Sequence, residues 1–191
     1  MIDPYKNILR TTLKQLRQNT SATFRLTASQ RICNGIKQLT CYRKARHLAL
    51  YSAIHGEVDL HGLWSTAPLQ GKYCYFPVMN ADLTLSFVPA TPATKFKKNS
   101  HGILEPEVDK DQAIAIHRLD VIILPLVGFD NQCRRLGMGA GYYDRTLAHE
   151  QHPVLVGAAY QFQHLPFIHT KPWDVPMDVV ITEKNHYWRQ V

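Results

Sequence analysis

Apolar residues recur at helical spacing twice near the start of the chain. Tyr5, Ile8, Leu9, Leu13 and Leu16 form one stripe, behind an Asp3-Pro4 pair that reads as an N-cap with proline at the first helical position. After the polar break Gln18-Asn19-Thr20-Ser21, a second stripe runs through Ala28, Ile32, Ile36 and Leu39. The pattern predicts a pair of amphipathic helices. From there it changes to short apolar runs between turn residues, and residues 47–54, 72–79, 83–90, 119–129, 153–160 and 178–182 are predicted strands. Residues 121–127 and 154–159 are apolar on both faces, as in strands buried within a parallel or mixed sheet. Helical stretches at 58–66, 111–117 and 142–150 lie between them, so the pattern predicts βα units and a layered α/β fold. Residues 89–98 read as a surface loop, and no repeat or linker divides the chain, so one domain is expected over residues 1–191.

Composition supports that picture and narrows the class of partner. A chain of 191 residues, 45% hydrophobic and 19% charged, is long enough to bury roughly 70% of its unfolded surface. The net charge of +7 favours an anionic ligand, yet the 22 Lys and Arg are scattered, with only Lys95, Lys97 and Lys98 close together. Nucleic-acid binders concentrate their cations instead, so no nucleic-acid partner is expected. The alternative reading is a non-catalytic nucleotide- or nucleic-acid-binding module, and neither a recognition-helix pattern nor an RNP-like aromatic motif supports it. Cys33, Cys41, Cys74 and Cys133 form no CxxC pair, and the ten histidines show no metal-ligand spacing. With no signal-peptide pattern at Met1–Lys6 and no apolar run near 18 residues, a cytoplasmic protein without membrane association is expected.

The chemistry concentrates between Arg134 and Arg145. Gly137, Gly139 and Gly141 alternate between an apolar strand and a predicted helix, with Arg134 and Arg135 before them and Asp144 in the helix's first turn. Glycines at such a turn let backbone amides approach a phosphate, and a helix start offers free N–H groups. The spacing is neither GxGxxG nor a Walker loop, and a steric turn alone also uses glycine. Asp144 suits either the helix dipole or a magnesium ion.

The run Phe129, Asp130, Arg135, Leu136, Gly137, Gly139, Gly141, Tyr142, Tyr143, Asp144, Arg145 and Leu147 resembles the motif of the 5-formyltetrahydrofolate cyclo-ligases. The resemblance continues through Lys6 to Arg10, Gly56-Glu57-Val58-Asp59, Phe76-Pro77, Ile103-Leu104-Glu105-Pro106 and Trp173 to Asp178. It departs at His101, where some members carry an aromatic residue, and at Ala140, where some carry a basic one. The resemblance implies a three-layer α/β sandwich with a mainly parallel central sheet flanked by helices. It further implies that ATP binds Lys6, Arg10, Arg135, Leu136, Gly137, Met138, Gly139, Ala140, Gly141, Tyr142 and Tyr143. Glu57, Met138 and Tyr142 would bind 5-formyltetrahydrofolate, with or without a polyglutamate tail. Asp144 and Asp174 would hold Mg2+, no side-chain nucleophile is required, and no obligate protein partner is implied. Lys14 and Arg17 continue the helical face of Lys6 and Arg10 but match no binding position, so they are read as surface charge.

Overall fold

The computed structural model describes residues 4–148 and 153–190. Asp3, read as the first helix cap, and the last two residues of the 142–150 stretch lie outside the described residues. Helix α1 (Pro4–Gln18) and helix α2 (Ala22–Gln38) form as the periodicity predicts, and Ser21 Oγ caps α2 by accepting from Phe24 N at 3.1 Å. A short α3 (Thr40–Lys44) leads into β1 (His47–Ala49), and α4 (His61–Trp64) into β2 (Tyr73–Met79) and β3 (Leu85–Pro89). A hairpin of β4 (Phe96–Lys98) and β5 (Leu104–Pro106) follows, then β6 (Val121–Leu124) and a second hairpin, β7 (Gly128–Phe129) and β8 (Arg135–Leu136). Helix α5 (Tyr142–Leu147), β9 (Val154–Ala158), β10 (Val179–Ile181) and β11 (His186–Trp188) complete the order.

Seven strands form one sheet in the order β11-β10-β9-β6-β1-β2-β3. The five central strands are parallel, and the edge strands β11 and β3 are antiparallel to their neighbours. Alternation along the strands separates two cores. Val121, Ile123, Val156 and Ile181 face Ile32 and Ile36 of α2, with Tyr42 and Leu63 beside them. Ile122, Leu124, Leu155 and Val180 face the opposite way, beneath Phe129, Leu147 and Met177. Both sheet faces are therefore covered, which is why these strands read as unbroken apolar runs.

Four local expectations change. The 111–117 stretch forms two 3-10 turns, Lys110–Gln112 and Ile116–Arg118, because Ile114 N–H donates to Phe87 O at 2.9 Å and draws the chain extended along the edge of β3. The 58–66 helix shrinks to α4, since the Tyr51 hydroxyl donates to Val58 O at 2.9 Å and Asp59 N to Ser29 Oγ at 3.0 Å. The 89–98 loop contains β4, with Lys97 and Lys98 exposed on it as expected. The 119–129 run is not one strand: β6 ends before Pro125, and Gly128–Phe129 pairs with Arg135–Leu136 instead.

Burial strips water from Cys33, Cys74 and Cys133, and this pushes each thiol from an ordinary 9.0 up to about 11. A group whose folded value is raised contributes stability that is complete below its unfolded value and is lost as pH climbs through the folded one. Melting temperature is therefore expected to fall between about pH 9 and pH 11, and more shallowly for Cys33→Ala/Cys74→Ala. Thermal melts across that range check this, and an equal slope in parent and variant removes the thiols from the account.

Candidate active site

From β1 the sheet grows one way into β2 and β3, and from β6 the other way into β9 and β10. The chain thus leaves the carboxyl ends of these adjacent strands in opposite directions, which is where open α/β sheets hold ligands. A cavity of about 320 Å³ lies there, bounded by the 54–57 turn after β1, Pro77 and Met79 of β2, Pro125 after β6, and residues 137–143.

The glycine loop is framed before the cavity is reached. Asp130 is 1% exposed; its Oδ1 accepts from Gln132 N and Arg134 N, and its Oδ2 from Ile168 N, each at 3.0 Å. This fixes the β7–β8 turn and delivers Arg135 to the wall. The Arg135 side chain is 4% exposed, its Nη2 donates to Asp144 Oδ1 at 2.7 Å, and its guanidinium lies 5.6 Å from the Tyr143 ring centroid. Its Nη1 is buried with no hydrogen-bond partner among the described residues. A buried cationic donor left open is costly, and an anion in the cavity would satisfy it.

Beyond Arg135, two guanidiniums hold the loop by its carbonyls. Arg10 Nε donates to Gly137 O at 2.9 Å, and Arg145 Nη2 to Ala140 O at 2.7 Å. Because trans peptides point C=O and N–H in opposite directions, the amides of Met138 and Gly141 face away from those arginines. Gly139 has φ +112°, a conformation that side chains disfavour, so the turn requires glycine there. Helix α5 starts at Gly141 without a side-chain cap.

Asp144 and Asp174, the carboxylates expected to hold metal, are linked through the backbone of Val175. Val175 N donates to Asp144 Oδ1 at 3.2 Å, which brings the neighbouring Asp174 to the same region. Asp174 Oδ2 lies 3.5 Å from Lys6 Nζ and accepts from Lys171 N at 2.9 Å. Among the described residues, the hydrogen bonds and ion pairs named for these two side chains fall on Asp144 Oδ1 and Asp174 Oδ2. Among the described residues no three His, Cys, Asp or Glu side chains group as a metal site. Two carboxylates sharing an ion with phosphate and water match the donor set of magnesium.

Glu57 sits at the opposite wall, 8% exposed. His55 and Gly56 both have left-handed φ, 49° and 75°, and Glu57 N donates to Ile54 O at 3.0 Å to close a tight turn. A Cβ on Gly56 would lie 3.2 Å from Arg17 O, so glycine also permits close contact with α1. Burial raises the Glu57 carboxyl above the usual carboxylate range, against the opposing pull of Arg17, the Ile54 N–H and Lys14.

Residues 3–183 match the 5-formyltetrahydrofolate cyclo-ligase family. The chain belongs to this family. It is 35% identical over 178 residues to the 5-formyltetrahydrofolate cyclo-ligase of Haemophilus influenzae, covering 91% of this chain and 95% of that one. The Aquifex aeolicus 5,10-methenyltetrahydrofolate synthetase structure superposes with a TM-score of 0.84 at 33% identity, covering 97% and 93% of the two chains. The Mycoplasma pneumoniae 5,10-methenyltetrahydrofolate synthetase gives 0.76 at 28% identity over 93% and 98%. Membership of an enzyme family sets aside the non-catalytic binding module. No helix among the described residues is long and apolar enough to cross a membrane.

Within this cyclo-ligase fold, Met138, Ala140 and Tyr142 line the cavity, with Met138 40% exposed, and His101 lines it too. Asn99 Oδ1 accepts from His101 N at 2.9 Å and Ile103 N at 3.0 Å, which shapes the β4–β5 turn over the opening. Glu105 was not singled out from sequence; it also lines the cavity, and its Oε1 accepts from Met79 N at 3.0 Å and Asn99 Nδ2 at 2.8 Å. One assignment is reversed. Arg17, read as surface charge, is 1% exposed, and its Nη2 lies 3.6 Å from Glu57 Oε1. The signal was its position seven residues after Arg10, almost two full turns, which places both arginines on one face.

Proposed function

We propose that this chain closes 5-formyltetrahydrofolate to 5,10-methenyltetrahydrofolate with conversion of ATP to ADP and phosphate. The observation that carries the reading is the open, buried donor of Arg135 beside a glycine loop in a cavity whose other wall presents Glu57. Lys6, Arg10 and residues 135–143 bind the ATP phosphates and nucleotide. Glu57 accepts hydrogen bonds from the pterin amino and imino groups, and Met138 and Tyr142 flank the ring. Asp144 and Asp174 hold Mg2+, which supplies charge neutralisation to the phosphates when bound.

The formyl group is amide-like and a poor electrophile. Its oxygen attacks the γ-phosphorus, and the bond from that phosphorus to the ADP oxygen breaks. N10 then adds to the activated formyl carbon and loses its proton, and phosphate leaves with the C–O electron pair. The side chains form no covalent intermediate: they align the reacting atoms and stabilise the charge that develops. Lys6 and Arg135 bring positive charge, and the amides freed by Arg10 and Arg145 bring directed donors.

Purified protein with 5-formyltetrahydrofolate is expected to form the methenyl product only when ATP and magnesium are both present. Product accumulation followed spectroscopically, with phosphate release measured alongside, checks this. Equal rates without ATP overturn the reading.

A further inference from the structure

Arg17 is absent from every role above, yet its guanidinium reaches three parts of the site. Its Nε donates to His55 O at 3.0 Å, in the turn that carries Glu57, and its Nη1 to Leu126 O at 3.3 Å, just beyond β6. Its Nη2 faces Glu57 Oε1 at 3.6 Å, within ion-pair range but beyond a hydrogen bond, and is buried without a hydrogen-bond partner among the described residues. Glu57 Oε2 meanwhile accepts from Ile54 N at 3.1 Å. The carboxylate is thus held from two sides, by its own turn and by α1.

We infer that Arg17 is a positioning residue for folate recognition, fixing the Glu57 turn to the ends of β1 and β6 and keeping its carboxylate aimed for the pterin. This rests on the folate role of Glu57 proposed above. A buried cation left unpaired, or a buried carboxylate deprived of its cation, is strongly unfavourable, so neither member is replaceable alone without consequence. The pair is specific in a second sense. Arg10, on the same helical face, holds the glycine loop at Gly137, so one helix aligns the nucleotide end and the pterin end of the cavity.

The other groups around Glu57 define what a pH profile reads. Lys14 on α1 favours the charged carboxylate as Arg17 does, Tyr51 and Tyr143 lie near it with phenols raised by burial, and His55 is in the same turn. Removing Arg17 takes away the largest opposition to the burial penalty, so the Glu57 carboxyl moves further up. Activity that needs the anion then requires a higher pH.

The test compares Arg17→Met, Glu57→Gln and the double variant by steady-state kinetics across pH. Arg17→Met is expected to raise KM for 5-formyltetrahydrofolate about tenfold near neutral pH, with kcat and the KM for ATP changed less than about threefold. The acid limb of kcat/KM is expected to move up by about one pH unit. The double variant is expected to match Glu57→Gln in folate KM, because Arg17 acts through Glu57; it also removes both charges and so avoids the unpaired buried charge that either single variant leaves, and thermal melts of all three verify folding. An unmoved acid limb in Arg17→Met, or a double variant about tenfold worse than Glu57→Gln, overturns the inference while leaving the folate role of Glu57 intact. An unchanged folate KM in Glu57→Gln overturns that role and the inference with it.

Discussion

Asp144→Asn is expected to lower turnover by about a hundredfold or more and to lower the melting temperature as well, because the buried Arg135 guanidinium loses the charge it pairs with at 2.7 Å. Asparagine retains an oxygen for the Val175 N–H and for Arg135 Nη2, so the local hydrogen bonds at 3.2 and 2.7 Å survive in form. What disappears is the negative charge. If that charge only complemented the start of α5 and paired with Arg135, its loss would cost stability and leave the magnesium dependence of turnover unchanged. As a ligand to a hard cation, it would supply an anionic donor that water replaces poorly. Magnesium titrations of turnover for the parent, Asp144→Asn and Asp174→Asn, run beside thermal melts, separate the two. The metal role predicts that both variants demand more magnesium. A parent-like rate and magnesium dependence in Asp144→Asn returns the residue to helix and ion-pair duty.

Asp130→Ala is expected to act on stability instead, lowering it by about 4 kcal/mol. Three backbone N–H groups lose a charged acceptor at once, and those of Gln132, Arg134 and Ile168 have been bound at 3.0 Å to a side chain that is 1% exposed. Each hydrogen bond to a charged group contributes roughly 1.5 to 3 kcal/mol, and an orphaned donor adds its own desolvation. Urea denaturation measures the change, and Asp130→Asn, which keeps one acceptor oxygen, is expected to fall between parent and Ala. An undisturbed midpoint in Asp130→Ala shows that the β7–β8 turn holds without its carboxylate. The FD pair at the head of the motif therefore builds the frame for Arg135.

Hydrophobic pattern made α2 legible because Ala28, Ile32 and Ile36 meet a sheet of hydrocarbon. On α1 the same reasoning holds for Leu9 and Leu13, which join a small core, and fails for the rest of the stripe. Tyr5, Ile8 and Leu16 are 60%, 65% and 50% exposed, while Leu13 and Arg17 are buried. The surface under α1 is polar backbone at the strand ends, where the His55, Leu126 and Gly137 carbonyls accept from guanidinium groups. Hydropathy describes the residue that is buried and is silent about the chemistry of what buries it. The same limit hid the break at Pro125: the chain stays apolar from Val121 to Phe129 while changing from sheet to hairpin, because Val127 and Phe129 remain in the core on both sides of the change. The glycine loop was legible as a unit because a steric requirement, left-handed φ at Gly139 and Gly141, writes itself in residue type.

The parallel pairing of β1 with β6 also sets when the site can exist. Leu48 pairs with Val121, about seventy residues further along the chain, and the strand pair carries the cavity at its end. Such a pairing requires a long loop to close before any contact rewards it, which slows folding. On the ribosome, a growing chain that ends before Leu126 has α1, α2 and the β4–β5 hairpin available but lacks the glycine loop and both carboxylates of the proposed metal site. Synthesis proceeds at roughly 5 to 20 residues per second, so this incomplete interval lasts for seconds. During it Arg17 has no Leu126 carbonyl to reach, and its charge stays in water until β6 and the residues after it arrive; burial of that guanidinium marks the docking of α1 on the end of β6.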